Sequence, residues 1–319
     1  MVKVKKNLPV SKKQVLVIGA AGLDIVGRMI NLPEPGASAP SEVRPSFGGV
    51  ARNIAENLAR LGQPVSLITS VGKDLFGETL LIHTSTAGVD MTDSLKTGEF
   101  NTASYLAVLT DDGNLQFALD DMRISTTLTP DYLVSKKFLF KKASLVFIDC
   151  NLDLGSMEKV FELAADAGIP VCADATASAL AHKLEDHVEK LLLITANTVE
   201  AAVLCGGLID TSTIQGALLA ARHLVTRGAE IAVIPIAEYG VCYATTDTSG
   251  HIPAIHTAIL DPTGAGDALT AAVIFGLMND ISLDETIRLG VSAASLTLST
   301  LGTVVPDLSL EKLYDHLVI

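Results

Sequence analysis

The chain has 319 residues, 49% hydrophobic and 18% charged, with a mean hydropathy of +0.42, which supports one large α/β domain or two small ones. Aromatics make up only 4% and Trp is absent, so the core falls to Val, Ile, Leu and Ala, as suits a parallel sheet covered by helices. A formal net charge of -13 and a pI of about 4.9 exclude nucleic acid polymers and anionic membranes as expected partners, while a small phosphate ligand stays open because nearby amides and a divalent cation outweigh a distant field.

The N-terminus carries Lys3, Lys5, Lys6, Lys12 and Lys13, then an apolar run over 15–22 that is too short for a membrane span and is soon broken by Asp24 and Arg28. It reads as a floppy tail before a first strand, in a soluble, cytoplasmic protein. Residues 15–21 form a continuous apolar run, the mark of a strand buried on both faces. Asp24 follows its carboxyl end, the edge of a parallel sheet where ligands bind, although a lone acid there also serves to cap a turn. Residues 31–46, rich in Pro, Gly, Ser and Glu, look like an excursion from the core.

Phe47-Gly48-Gly49 opens a periodic helix in which Val50, Ile54, Leu58 and Leu61 line one stripe and Gly62 ends it. Two glycines at a helix start allow a ligand to approach closely, or simply leave the start flexible. Asn53, one turn in, offers an amide that both donates to and accepts from sugar hydroxyls. Residues 65–71 read as a strand and 75–86 as a helix. An alternating segment over 102–109 turns at Asp111-Asp112-Gly113-Asn114 into 115–119, a hairpin between α/β units. With residues 31–46 it makes a small β-lid, at about 26–47 and 100–122, that keeps water from a ligand and offers a surface for a homodimer.

From residue 144 strands and helices alternate: strands at 145–148, 171–173, 191–195, 231–236 and 241–244, helices at 157–167, 199–204 and 214–226, and three long closing helices over 264–279, 283–300 and 309–317. The four cysteines, Cys150, Cys172, Cys205 and Cys242, form no Cys-x-x-Cys pair and read as buried thiols. Asn197-Thr198-Val199-Glu200 is a capping-box-like start. Equally, Asn197 and Glu200 suit the water shell of Mg²⁺ on nucleotide phosphates, because Mg²⁺ keeps most of its waters.

The most informative stretch is Leu260-Asp261-Pro262-Thr263-Gly264-Ala265-Gly266-Asp267-Ala268, where a glycine-broken turn enters an alanine-rich helix near Gly264. The first amides of that helix lack intrahelical partners, and the dipole places positive charge there. An anion cradle beside the Asp267 carboxylate is what phosphoryl transfer to an alcohol needs. Taken alone, the stretch also fits a plain strand-to-helix turn with an ordinary first-turn acid. No Gly-x-x-x-x-Gly-Lys-Ser/Thr occurs, and no Gly-x-Gly-x-x-Gly follows the first strand, which removes P-loop NTPases and weakens a dinucleotide oxidoreductase.

In this order, Gly48-Gly49 with Asn53, Asn197-x-x-Glu200, and Asp261-x-Thr263-Gly264-Ala265-Gly266-Asp267 resemble the motifs of the PfkB (ribokinase-like) carbohydrate and nucleoside kinases over nearly the whole chain. The resemblance implies one kinase domain over 1–319 with a doubly wound, mostly parallel sheet, helices on both faces and a small lid. It implies Asp267 as base, amides of Gly264, Ala265 and Gly266 as the anion hole, and Asp24, Gly48, Gly49 and Asn53 on the sugar. ATP and Mg²⁺ follow, with Asn197, Glu238, Gly240, Thr263, Gly264 and Gly266 toward the nucleotide, Glu200 holding Mg²⁺ through water, and Asp261 near a site for a monovalent cation such as K⁺. Residues 47–62, with Asp121-Met122, Leu128-Thr129-Pro130 and Asp149-Cys150-Asn151-Leu152, look most like pseudouridine kinases; ribokinase or another sugar kinase is the alternative. One departure is Pro235-Ile236-Ala237, where family members usually carry Thr-Leu-Gly: an N–H and a hydroxyl are gone. A regulator that binds nucleotide or sugar without catalysis would exploit that loss.

Overall fold

Successive residues of the first strand, β1 (Gln14–Ile18), enter two different apolar clusters: Val15 and Val17 one, Leu16 and Ile18 the other. Both faces of the sheet are therefore covered, as the unbroken apolar run demands. The computed structural model describes residues 13–317 except 32, 34, 35, 113 and 114. The lysines at 3, 5, 6 and 12, and Gly113-Asn114 of the hairpin turn, lie outside the described residues.

From β1 the chain enters β2 (Gly22–Met29) and β3 (Ser41–Gly48) before α1 (Val50–Arg60) returns to the core. Next come β4 (Val65–Ile68), β5 (Ser70–Gly72), α2 (Leu75–Thr86) and β6 (Leu95–Thr97), then the hairpin β7 (Ala103–Leu109) and β8 (Leu115–Asp121). Short helices α3 (Pro130–Ser135) and α4 (Lys137–Lys142) precede β9 (Ala143–Asp149), α5 (Leu154–Ala167), β10 (Val171–Asp174), β11 (Leu191–Thr195), α6 (Thr198–Leu204), α7 (Ile214–Thr226) and β12 (Ile231–Ile236). After β13 (Gly240–Thr245) and β14 (Ser249–Ile252), helices α8 (Ala265–Met278), α9 (Leu283–Leu298) and α10 (Leu310–His316) close the chain.

The main sheet has the order β14-β13-β12-β11-β10-β9-β1-β4, parallel from β12 to β4 and antiparallel at β13 and β14. Helices α1, α8, α9 and α10 pack on one face and α4 to α7 on the other. The carboxyl ends of β1, β9, β10 and β11 thus share one edge, with Asp149, Asp174 and Thr195 side by side in register. Ligands bind along such an edge in doubly wound sheets.

Over it stands the lid, a four-stranded sheet of order β3-β2-β7-β8. Ser46, Asp24, Tyr105 and Asp120 lie opposite one another across its strands and share one face. Its other face carries Ile25, Val43, Leu106, Val108, Phe117 and Leu119. Where the lid meets the core, Phe47 packs with Ala21, Val71 and Leu80.

Three local expectations change. The run over 65–71 breaks at Thr69, because the Leu95 amide takes the Thr69 carbonyl and draws β5 away to pair with β6. Asp24 sits within lid strand β2 and not in a turn after β1, since extended pairing with both β3 and β7 starts already at Gly22. The last of the three closing helices is a two-turn element, started by Ser309 accepting from the Lys312 amide.

Candidate active site

Two helices begin at glycines on this edge, and their starts are used differently. At α1 the Ala51 amide donates to Asp149 Oδ2 at 3.1 Å and the Arg52 amide to the Ala20 carbonyl at 3.2 Å. That start is already capped by the protein. At α8 the N-cap residue is Gly264, among the described residues no side chain caps the helix start, and the first intrahelical bond runs from the Ala268 amide to the Gly264 carbonyl at 2.9 Å. The amides of Ala265, Gly266 and Asp267 are left for another acceptor, with the helix dipole behind them.

The glycines also divide by cause. Gly49 has φ +95° and Gly264 φ +82°, conformations that L side chains rarely adopt. A Cβ at Gly49 would strike the Ala20 carbonyl, one at Gly264 the Thr303 carbonyl, and one at Gly48 the Asp24 carboxylate. At these three the missing side chain makes room for the protein's own atoms, a reason for glycine that holds whether or not a ligand approaches Gly48-Gly49. Gly48 thereby lets Asp24 lie flat against the end of β3. Of Gly48, Gly49, Gly264 and Gly266, the last alone has open space where its side chain would be.

Asp267 is partly buried in the first turn of α8. Its Oδ2 accepts the Asn53 side-chain amide at 2.6 Å. Burial pushes its carboxyl up to about 7, Asp174 and Asp149 add to the rise, and the Asn53 bond and the Arg52 charge oppose it. The helix start favours a carboxylate, but at Asp267 burial and the two neighbouring acids outweigh it. Asp24 is buried and likewise raised, to about 6, by desolvation, with Arg52 lowering and Asp261 raising it.

Asn197 and Glu200 form a complete capping box after β11. Asn197 Oδ1 accepts from the amides of Val199 and Glu200, and Glu200 accepts from the Asn197 amide and side chain at 2.8 and 2.7 Å. Glu200 is also buried, and burial together with Asp174 raises its carboxyl. An acid so placed suits a hydrated cation better than direct ligation: among the described residues no group of three metal-ligating side chains assembles.

Asp261 ties two turns, accepting from the Thr263 amide at 2.9 Å and the Gly302 amide at 3.4 Å. Glu238 is exposed on the 3₁₀ turn at Ala237–Tyr239, and Gly240, at φ +102°, packs against the Ile252 carbonyl. Pro235 lies beyond the part of β12 paired with β11, so its missing N–H breaks no bond on that side. All four cysteines are buried free thiols.

The sequence assigns no role to Asp174, Thr303 or Tyr105, and Asp149 and Arg52 enter it only within the stretches that carry the resemblance. Asp149 and Asp174 end apolar strands at the ligand edge, a signal as good as the one that drew attention to Asp24. Arg52, Glu56 and Arg60, spaced by four along α1, announce an ion-pair ladder.

A ribokinase-like α/β sheet with a β-lid over an open helix start beside a carboxylate defines a class, the carbohydrate kinases. Residues 12–309 match the pfkB family of carbohydrate kinases, and the chain belongs to it. It is thus a phosphotransferase with an alcohol acceptor. Pseudouridine kinase of Escherichia coli (strain K12) is 31% identical over 300 residues, covering 94% of this chain and 95% of that one. Guanosine-inosine kinase of Exiguobacterium acetylicum is 26% identical over 92% of this chain and 98% of its own. Among solved structures, Arabidopsis thaliana ribokinase complexed with ribose and ATP has the same fold, with a TM-score of 0.84 at 20% identity over 97% of this chain and 100% of that one. Among the described residues no helix is long and apolar enough to cross a membrane.

Proposed function

We propose that this protein transfers the γ-phosphoryl group of ATP to the primary hydroxyl of a nucleoside, with pseudouridine the acceptor and pseudouridine 5′-phosphate the product. The observation that carries the reading is the uncapped start of α8 beside Asp267. The acceptor oxygen attacks the γ-phosphorus in line, the bond to the β–γ bridging oxygen breaks, ADP leaves, and the hydroxyl proton passes to Asp267. Amides of Gly264, Ala265 and Gly266, joined by that of Asp267, receive the negative charge of the migrating group. Asn53, Asp24 and the Gly48-Gly49 backbone hold the sugar hydroxyls. Asn197, Thr263, Glu238 and Gly240 border the nucleotide.

Mg²⁺, when bound, neutralises phosphate charge, and Glu200 with Asn197 would hold it through its waters. A monovalent cation beside Asp261 would stiffen the turn that leads into Gly264. The choice of pseudouridine over ribose draws on the 31% identical relative that bears that name. Tyr105 and Asp120 extend the Asp24 row across the lid and give a planar base something to meet. Two copies pair through the apolar outer face of the lid.

ADP release with pseudouridine, ribose, adenosine and fructose 6-phosphate, in Mg²⁺ with and without K⁺, tests the reading. Turnover highest on pseudouridine supports it. Turnover on ribose with none on pseudouridine replaces it with ribokinase. Nucleotide binding with no transfer to any acceptor replaces it with a non-catalytic regulator.

A further inference from the structure

Arg52 is 1% exposed, in the first turn of α1, and its guanidinium joins the adjoining turn at 47–48 to Thr303, far away in sequence. Nε donates to the Gly48 carbonyl at 3.0 Å, and Nη2 donates to the Phe47 carbonyl at 2.7 Å and to Thr303 Oγ1 at 2.6 Å. The Thr303 hydroxyl donates in turn to the Phe47 carbonyl at 2.7 Å. Nη1 pairs with Glu56 on the same helix, and Nη2 also lies against Asn53 Oδ1. On its other side, Thr303 presses its carbonyl against Gly264, where no Cβ could fit. One side chain thus links the end of lid strand β3, the start of α1 and the turn that opens α8.

We propose that Arg52 is a positioning residue that sets the distance between the acceptor-holding turn at 47–49 and the phosphoryl-holding turn at Gly264, acting through Thr303. The inference rests on the assignment of those two turns made above. A purely structural arginine in an i,i+4 pair with Glu56 would need only Nη1. Here the Nε and Nη2 edges are spent on the backbone of the turn at 47–49 and on the Thr303 hydroxyl, whose own carbonyl abuts Gly264, in a fork that a lysine cannot reproduce. The charge has a second consequence. Glu56 and Arg60 flank Arg52 from α1, His83 approaches Glu56 from α2, Asp24 faces it from the lid and Asp267 from α8. Asp24 and Asp267 thereby share a cation that neither contacts through a hydrogen bond.

Four variants separate positioning from stability: Arg52→Lys keeps the charge and loses the fork, Thr303→Val removes the tie without touching a charge, Arg52→Met removes both, and Glu56→Gln breaks the ion pair alone. Melting temperature, kcat, KM for acceptor and for ATP, and the pH dependence of kcat/KM are measured on each. Arg52→Lys and Thr303→Val should lower kcat by about 10²-fold, the cost of misplacing reacting groups by about an ångström, and raise both KM values together. Their acid limb should stay where the wild type has it. In Arg52→Met that limb should move to higher pH, because the Asp267 carboxylate loses a neighbouring cation. Glu56→Gln should lower the melting temperature and leave kcat close to wild type. Folded Arg52→Lys and Thr303→Val proteins with wild-type kcat and KM values would overturn the inference, whatever their melting temperatures. A wild-type protein inactive on every acceptor would instead sink the assignment of function, and this inference with it.

Discussion

Asn53 Nδ2 and Asp267 Oδ2 lie 2.6 Å apart, a bond that joins the first turn of α1 to the first turn of α8. Two helix starts more than two hundred residues apart in sequence are thereby locked at one point. An amide cannot lose its proton, so this bond favours the ionised carboxylate without quenching it. Burial pulls the other way. The outcome, a carboxyl raised to about 7, is close to the pKa at which a general base serves best near neutral pH.

Asp267→Asn is the most direct probe of that base. It keeps the size and, through its amide oxygen, an acceptor for Asn53. Turnover should fall about 10²–10⁴-fold with KM little changed, as for an interaction made in the transition state. Steady-state kinetics checks this, and near-wild-type turnover would remove Asp267 from the chemistry. Stability should move in the opposite sense. A carboxyl raised in the folded protein from 3.8 to about 7 favours folding below its unfolded pKa, and that contribution is lost as pH rises through 7. The variant should therefore melt above the wild type at pH 8, and the gap should close as pH falls toward 4.

The pH dependence of kcat/KM for the acceptor follows from the same group. Activity should rise with pH through an acid limb near 7, as Asp267 ionises in the free enzyme. Asn53→Ala removes a donor that favours the carboxylate, so the limb should shift to higher pH. Kinetics between pH 5.5 and 9 (roughly the span over which such groups titrate) will read the shift. A limb that moves to lower pH in Asn53→Ala would mean that another group controls it.

Much of this arrangement could be read along the chain. The parallel sheet followed from unbroken apolar strands, the hairpin of the lid from alternation around a polar turn, and the open helix start from Thr263-Gly264-Ala265-Gly266. Each is a local signal, carried by residues within one or two turns. What escaped is non-local. That Asp149 would cap α1 depends on the pairing of β9 with β1, more than a hundred residues apart. Thr303 gains its place only through the path after α9, and nothing nearby in sequence marks it. Gly48 and Gly49 were visible, but their cause was not, because the atoms they avoid belong to Asp24 and Ala20.

Glycines at the α8 start offer a contrast within three residues. Gly264→Ala faces both a positive φ and the Thr303 carbonyl, so it should destabilise the protein by at least about 1–2 kcal/mol, the cost of a left-handed L residue alone. Gly266→Ala meets nothing and, inside α8, should melt no lower than the wild type. If the open space above Gly266 receives the phosphates, that silent methyl should still raise KM for ATP. Thermal melts paired with ATP titrations of turnover separate the two effects. An unchanged KM in Gly266→Ala would move the phosphate away from this backbone.

The lid carries the last prediction. Val43, Gly27, Val108 and Phe117 lie opposite one another across its four strands, and Leu106 and Leu119 share their face. Val43, Phe117 and Leu119 are 60%, 55% and 63% exposed, whereas the opposite face carries the polar row of Ser46, Asp24, Tyr105 and Asp120. A sheet with one apolar face in water normally covers it. Self-pairing of that face suits a twofold dimer, because one patch then serves both subunits. Phe117→Asp should shift the protein from dimer to monomer in sedimentation velocity, leaving the melting of the α/β core close to wild type. The acceptor KM should rise as well, since the partner's lid no longer steadies the strand that bears Asp24. A wild-type protein that sediments as a monomer across a hundredfold range of concentration would end the dimer proposal and leave the apolar face to another occupant.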